Sequence, residues 1–218
     1  QDPYYSHRIR WTTTQRVLRF LSAPLRDEVR REGPFEALMN AAPRPDARWP
    51  GLARDQYVEA HTLLSGYLLH AQGDRVAMAA SIEARYPFLD HRLVEFANRL
   101  PPRWKIRGLR EKYILRTAVS GWLPESVTQR TKQPYRAPDS SAFFVGGRLV
   151  EPARSAMSPR SIDEYGYFDP ALVERLVEKC AAGKALGFAD NMAFVTILST
   201  QVLHSLFVRP WVGETALT

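Results

Sequence analysis

The chain has 218 residues, 45% of them apolar, and a formal net charge of +7; this is enough for a hydrophobic core in one large domain or two small ones and excludes a disordered polar chain. A single cysteine excludes an internal disulfide and points to a reducing, cytoplasmic setting. The positive excess invites a nucleic-acid partner, but the 30 cations are scattered from Arg8 to Arg209 with no basic run interleaved with aromatics, which speaks against a phosphate-backbone footprint.

In chain order, residues 1–11 have no period and no signal-peptide pattern. Thr12 and Gln15 form a capping pair that predicts a helix to about Leu21. Pro24 opens another helix, ended by Gly33 and Pro34, and residues 35–39 give one or two further turns. The proline-rich run 41–51 reads as a surface connection. Residues 52–71 read as a helix with Tyr57, Leu63, Leu64, Tyr67 and Leu68 able to pack and Gly66 interrupting. Asp74 then caps a short helix whose Met78 and Ile82, four apart, are expected to face a core. Pro87 ends it, and Tyr86, preceding a proline, is expected to be extended. Asp90 caps a second helix to about Leu100, with Leu89, Leu93, Phe96, Ala97 and Leu100 on one stripe and Leu89 and Val94 placed for a hydrophobic staple.

Pro101 and Pro102 force a turn, and residues 104–106 read as a short extended piece. Residues 111–119 read as a helix with Tyr113, Ile114, Leu115 and Ala118 inward, which puts Lys112 in the first turn, where the helix dipole opposes a cation. That misfit suits a lysine that serves a ligand; an exposed surface lysine is the alternative. Residues 124–167 read as a long irregular connection, with short helices at 140–144 and 148–157, and connections of this length are commonly functional. Asp169 or Pro170 starts a helix to Ala182, ended by Gly183. Cys180 shares its apolar stripe with Leu172, Val173, Leu176 and Val177 and reads as a small buried hydrophobe, not a nucleophile. The apolar run 192–207 is interrupted by Thr196, Ser199, Thr200, Gln201 and His204, falls short of the ~20 residues of a membrane span, and reads as a buried core helix. Almost no stretch alternates with period two. The expected fold is therefore mainly α, one helical domain over 1–218 with few or no strands and irregular connections at 41–51 and 124–167.

Three blocks in order carry more specific information. Residues 74–97 read D-R-x-x-M-A-x-S-x-E-x-R-x-P-F-L-D-H-R-L-V-E-F-A, residues 108–116 read G-L-R-E-K-Y-I-L-R, and residues 123–132 read L-P-E-S-V-x-x-R-x-K. Together they resemble the C-terminal synthetase domain of glutamine-dependent asparagine synthetases and their relatives. The resemblance implies the helical C-terminal portion of an adenine-nucleotide α-hydrolase-like (ATP pyrophosphatase) domain. It also implies amide synthesis in two stages: a carboxylate attacks ATP to give an acyl-adenylate and pyrophosphate, and ammonia then displaces AMP.

The first stage concentrates negative charge and calls for cations aimed at phosphates. Lys132 and Lys112 match family positions of that kind, and Arg130 joins Lys112 as a candidate nucleotide contact. The second stage needs a base near the reacting carbonyl, and Glu83 matches the family's glutamate. From the residues alone, Glu83 pairs with Arg85 or Arg75 across the corner. Asp74 and Arg75 read as organisers of the corner, and Asp90 as a cap. The histidines, His7, His61, His70, His91 and His204, show no metal-ligand spacing, so no protein-held metal is expected.

The sequence also departs from the family. After R-T-K it has Pro134, Tyr135 and Arg136 where glycine and then phenylalanine are usual, which puts the acyl substrate or amine acceptor in question. It has no S-G-G-x-D-S pyrophosphate loop, for which Ser65-Gly66 and Gly146-Gly147 are poor substitutes, and no glutaminase half. The resemblance therefore implies a fragment that does not turn over alone and that works with upstream ATP-loop and glutaminase parts, ATP with Mg2+, aspartate or another carboxylic acid, and ammonia. A homodimer is left open, and no membrane partner is expected. A relative that amidates or closes a lactam in a natural product, a basic binding module and a catalytically dead remnant are the alternatives.

Overall fold

The computed structural model describes residues 2, 4–33, 37, 40, 44–133, 139–184 and 187–208. Helices dominate them, and the strands are confined to two antiparallel hairpins with two-residue arms, apart from one isolated bridge. The sequence reading treats 1–218 as one helical domain; the fold has two compact units, Gln1–His7 with Leu38–Pro134 and Arg8–Ala37 with Tyr135–Thr218, and each is described by itself. The turns expected at 35–39 and the Pro134-Tyr135-Arg136 departure lie outside the described residues, apart from the helical Ala37.

The second unit holds the close-packed core. The Phe188–Leu203 helix buries Ala193, Phe194, Ile197 and Leu198 against Val173, Leu176 and Cys180 of the Pro170–Ala181 helix and Ile162 of Pro159–Tyr165. Phe143 and Phe144 bring their rings to 5.8 and 5.6 Å from Phe194, within the range where aromatic pairs attract. Asp169 accepts the N–H of Leu172 at 3.0 Å and caps its helix as expected. The Asp169 N–H in turn donates to the Phe20 carbonyl at 2.8 Å, and Ser22 N–H to Tyr167 O at 3.0 Å, tying the early chain to this helix start. Cys180 is buried and its thiol is pushed up by that burial, which makes it the inert residue the stripe implied.

Several sequence expectations are corrected here. The first helix does not begin at Thr12: it spans Tyr5–Gln15 and tightens into a 3-10 segment, Arg16–Phe20. Asp2, not Thr12, meets the free N-terminal donors, accepting the Tyr4 N–H at 3.0 Å, while Thr13 and Thr14 bond back to Ile9 and Arg10 carbonyls within the helix. The 124–167 connection is largely ordered. The 3-10 turn Ser140–Phe143 and the helix Ala153–Ala156 fall where short helices are expected, whereas the helices Glu125–Thr128 and Pro159–Tyr165 are additions. Arg148 and Leu149, expected in a helix, instead pair with Val145 and Phe144, because Gly146 and Gly147 both have positive φ and close a tight hairpin. The 192–207 run lies in a longer helical stretch, 188–208, that reaches spanning length with a mean hydropathy of 1.4. One face of its middle forms the core described above, but Phe188, Leu203, Leu206 and Phe207 are exposed, so the stretch is buried only in part.

In the first unit helical turns run without a break from Gly51 through Glu59, widen to π-type over Ala60–Asp74, and finish as Arg75–Ala79. Asp74 is therefore not a cap: its φ and ψ are −62° and −45°, inside the helix. Met78 and Ile82 are exposed, at 70% and 58%, and not buried as expected. Tyr67 and Leu68 are also substantially exposed; Val58 is the buried apolar side chain of this stretch. Of the extended piece expected at 104–106, Trp104 and Lys105 instead close a short helix, Pro102–Lys105, while Ile106 is extended and opens the Ile106–Arg107 and Arg110–Glu111 hairpin.

Candidate active site

The first motif makes the corner that Pro87 implies, by a different device. After Ala79 the helix closes with Ser81 in the left-handed region at φ +56°, its N–H donating to Met78 O at 3.0 Å and that of Ile82 to Ala77 O at 2.8 Å. This is a Schellman end, usually given to glycine. The chain is then extended to Tyr86, with φ −120° and ψ 80° before Pro87, and makes one 3-10 turn, Pro87–Leu89. Gly73 leaves room for the Tyr86 side chain: a Cβ there would stand 2.9 Å from the Tyr86 hydroxyl and 3.1 Å from the Leu68 carbonyl oxygen.

Asp90 caps the His91–Arg99 helix by accepting the Arg92 N–H at 2.9 Å, and it also pairs with the Arg92 guanidinium at 2.8 Å. The Arg92 side chain, then its backbone N–H, holds the Asp90 carboxyl below the usual carboxylate range.

Glu83 lies on the extended arm of this corner, exposed, and forms an ion pair with Arg85. This is the pairing the residues alone favour. The carboxylate is not sealed in a core, and a solvated pair of this kind is a weak restraint.

The second and third motifs meet. Gly108, at φ +59°, turns the hairpin that pairs Ile106 with Glu111. Lys112 follows in the left-handed region, φ +54° and ψ +36°, and the helix begins only at Tyr113. Lys112 is therefore not in the first helical turn; it sits at the cap, where the strained backbone rather than the dipole is the unusual feature. Lys132 Nζ is 3.9 Å from Glu111 Oε2, so the lysines of the two motifs flank one carboxylate residue. The Arg130 carbonyl accepts from Arg116 Nη2 at 2.9 Å.

Beside this turn is a groove of about 880 Å³. Lys112, Glu111, Lys105 and Gln56 supply polar groups, and Leu93 and Phe96 are part of its apolar wall. The expected stripe on 91–99 is thus real, but it lines an open groove and not a closed core. Lys105 donates to Gln56 Oε1 at 3.1 Å, and burial pulls its ammonium below the ordinary lysine value. Glu83 is not among the lining residues.

Sequence reasoning missed Arg116, Glu111, Lys105 and the Gly73–Tyr86 contact. Arg116 and Glu111 lay inside a quoted motif, but periodicity does not reveal a side chain that bonds backbone carbonyls. Among the described residues no group of three or more His, Cys, Asp or Glu side chains could hold a metal.

The family model described as Asparagine synthase matches residues 4–205. The chain belongs to the asparagine synthase family. The mainly helical fold suits part of an ATP-pyrophosphatase-type synthetase domain. The chain is similar to the amidase chyE of Penicillium rubens, 32% identical over 138 residues, which is 61% of this chain and 20% of the relative. It is similar to asparagine synthetase [glutamine-hydrolyzing] 1 of Bacillus subtilis, 32% identical over 155 residues, 71% of this chain and 23% of the relative. A putative asparagine synthetase [glutamine-hydrolyzing] of Mycobacterium tuberculosis is 31% identical over 164 residues, 75% of this chain and 24% of the relative. The chain thus spans 20–24% of the length of these relatives. No solved structure matches it significantly.

Proposed function

We propose that this chain is the C-terminal helical part of an ATP-dependent amide-forming enzyme that works through an acyl-adenylate. The observation that carries the reading is the family match over residues 4–205, and the contact between two of the motifs supports it: Lys132 lies 3.9 Å from the carboxylate of Glu111, the residue before Lys112 in the chain. Lys132 and Lys112, with Arg130 beside them, bind the phosphates and stabilise charge as the acid's carboxylate attacks the α-phosphorus and pyrophosphate leaves. Glu83 takes the proton from ammonia as the nitrogen adds to the acyl carbon and AMP departs. The phosphate-cradling loop and the glutaminase come from upstream parts of the same enzyme. Mg2+ would come bound to the nucleotide, and no step of this chain is routed through it. The buried lone Cys180 accords with a cytoplasmic setting.

ATP–pyrophosphate exchange and amide formation with aspartate, measured in the complete enzyme, test the assignment. Glu83→Gln and Lys132→Ala are expected to lose exchange or amide formation; near-normal rates in both overturn the site. A second acceptor class has its own support. The similarity to the amidases of Penicillium rubens and Gibberella zeae and the Pro134-Tyr135-Arg136 sequence after Lys132 favour an acid other than aspartate. Product analysis with aspartate plus ammonia decides between them: asparagine supports the first reading, and exchange without asparagine supports the second.

A further inference from the structure

Arg116 donates to three backbone carbonyls at once. Its Nε reaches Glu111 O at 3.1 Å, Nη1 reaches Thr128 O at 2.6 Å and Nη2 reaches Arg130 O at 2.9 Å. The guanidinium is a planar fork of five donors in fixed geometry, so three acceptors on one fork are fixed relative to each other. Those acceptors belong to the two segments that bear the candidate cations: Glu111 directly precedes Lys112, and Arg130 lies two residues before Lys132.

Regular structure stops short of both lysines: Glu111 ends a strand and Thr128 ends a helix. Residues 130–133 have none, and Lys112 stands in a strained left-handed turn between strand and helix. The 3.9 Å approach of Lys132 to Glu111 is too long for a hydrogen bond and cannot set the loop. The Arg110 guanidinium bonds the Gln129 side chain and closes the same gap from the other side, while Thr128 is buried, at 5% exposure. Arg116 itself stands one helical turn after Lys112, in a helix whose Arg116 N–H bonds the Lys112 carbonyl at 3.0 Å.

We infer that Arg116 is a positioning residue: by clamping the carbonyls of Glu111, Thr128 and Arg130 it sets the distance between Lys112 and Lys132 so that both ammonium groups meet one polyphosphate. The inference rests on the adenylating role proposed above for Lys132. A lysine at 116 keeps the charge and the aliphatic stem but cannot span three carbonyls, so Arg116→Lys isolates the clamp from the charge.

The test is ATP–pyrophosphate exchange in the complete enzyme for Lys132→Ala, Arg116→Lys and the double variant, with amide hydrogen exchange followed across the first unit. Misplacing a binding group by an ångström costs on the order of 10²-fold in rate. Arg116→Lys is therefore expected to lower kcat for exchange by about 10²-fold while leaving KM for the acid nearly unchanged, and the double variant is expected to be no slower than Lys132→Ala, because the two act as one unit. Amides at 128–132 are expected to exchange faster in Arg116→Lys while those of the Gly51–Glu59 helix stay protected. An unaltered exchange rate in Arg116→Lys beside a dead Lys132→Ala overturns the positioning role and leaves the function standing. Normal exchange in Lys132→Ala overturns both. Loss of protection throughout the first unit makes Arg116 a fold residue and overturns the inference as well.

Discussion

The two units of this chain use their apolar residues differently. In the second unit Phe194, Ile162 and Ile197 are fully buried and Val173 nearly so, around one core. In the first unit Phe88, Phe96, Met78 and Trp122 are exposed at 67, 55, 70 and 83%, and the best amphipathic helix faces a groove. The candidate reactive groups, Glu83, Lys112, Arg130 and Lys132, all lie in that open unit. The contrast teaches that an apolar stripe in a sequence reports a face that wants cover, not a face that the same chain covers, and that the close-packed unit and the chemistry-bearing unit are separate here.

The contrast is broken or sharpened by matched substitutions. Phe194→Ala is expected to destabilise the second unit by about 3–5 kcal/mol, the range for emptying an aromatic core site, whereas Phe96→Ala in the first should cost less than about 1 kcal/mol. Urea unfolding followed unit by unit checks this, and equal losses would mean that the groove is as tightly packed as the core. Gln201 sharpens the picture from inside the core. Its side chain is fully buried, and its amide oxygen and nitrogen have no hydrogen-bond partner among the described residues. Gln201→Met removes that penalty and is expected to raise stability by about 1–3 kcal/mol in the same titration; a loss would show that the amide is bonded. Asp169→Ala removes the cap of the Pro170–Ala181 helix and should cost about 1 kcal/mol, read as a lower unfolding midpoint of the second unit.

The smallest effect concerns pH. The Asp90 carboxyl is lowered in the fold by Arg92, so its stabilisation is present above the ordinary aspartate range and is lost as pH falls through the lowered folded value. The Arg92 amide is expected to lose protection in that acidic window, and Asp90→Asn, which keeps an acceptor but cannot titrate, is expected to show no such step.

Much of the local punctuation was legible. The Asp90 and Asp169 caps, the left-handed ends at Gly33 and Gly183, the extended Tyr86 and the buried Cys180 all follow from short-range sterics and hydrogen bonding. What failed was set at longer range. The burial expected of Met78 and Ile82 depends on what covers them, and periodicity does not say. Lys112 reads as helical in sequence because the two-residue strands of its hairpin are too short to show alternation. The left-handed Ser81 and the Arg116 clamp have no pattern in sequence, since each is defined by backbone groups it meets in space. The motif residues themselves were legible only through resemblance; from residue types alone, Glu83 reads as paired with Arg85 or Arg75, and the structure contains the first of these pairs.

The central claim is that Glu83 serves the second half-reaction at a site charged by Lys132. Parallel rates of pyrophosphate exchange and amide formation in Glu83→Gln test it most directly. Exchange is expected to persist while amide formation falls by about 10²–10⁴-fold, the usual contribution of a positioned base. Amide formation at the rate of the unsubstituted enzyme would contradict it.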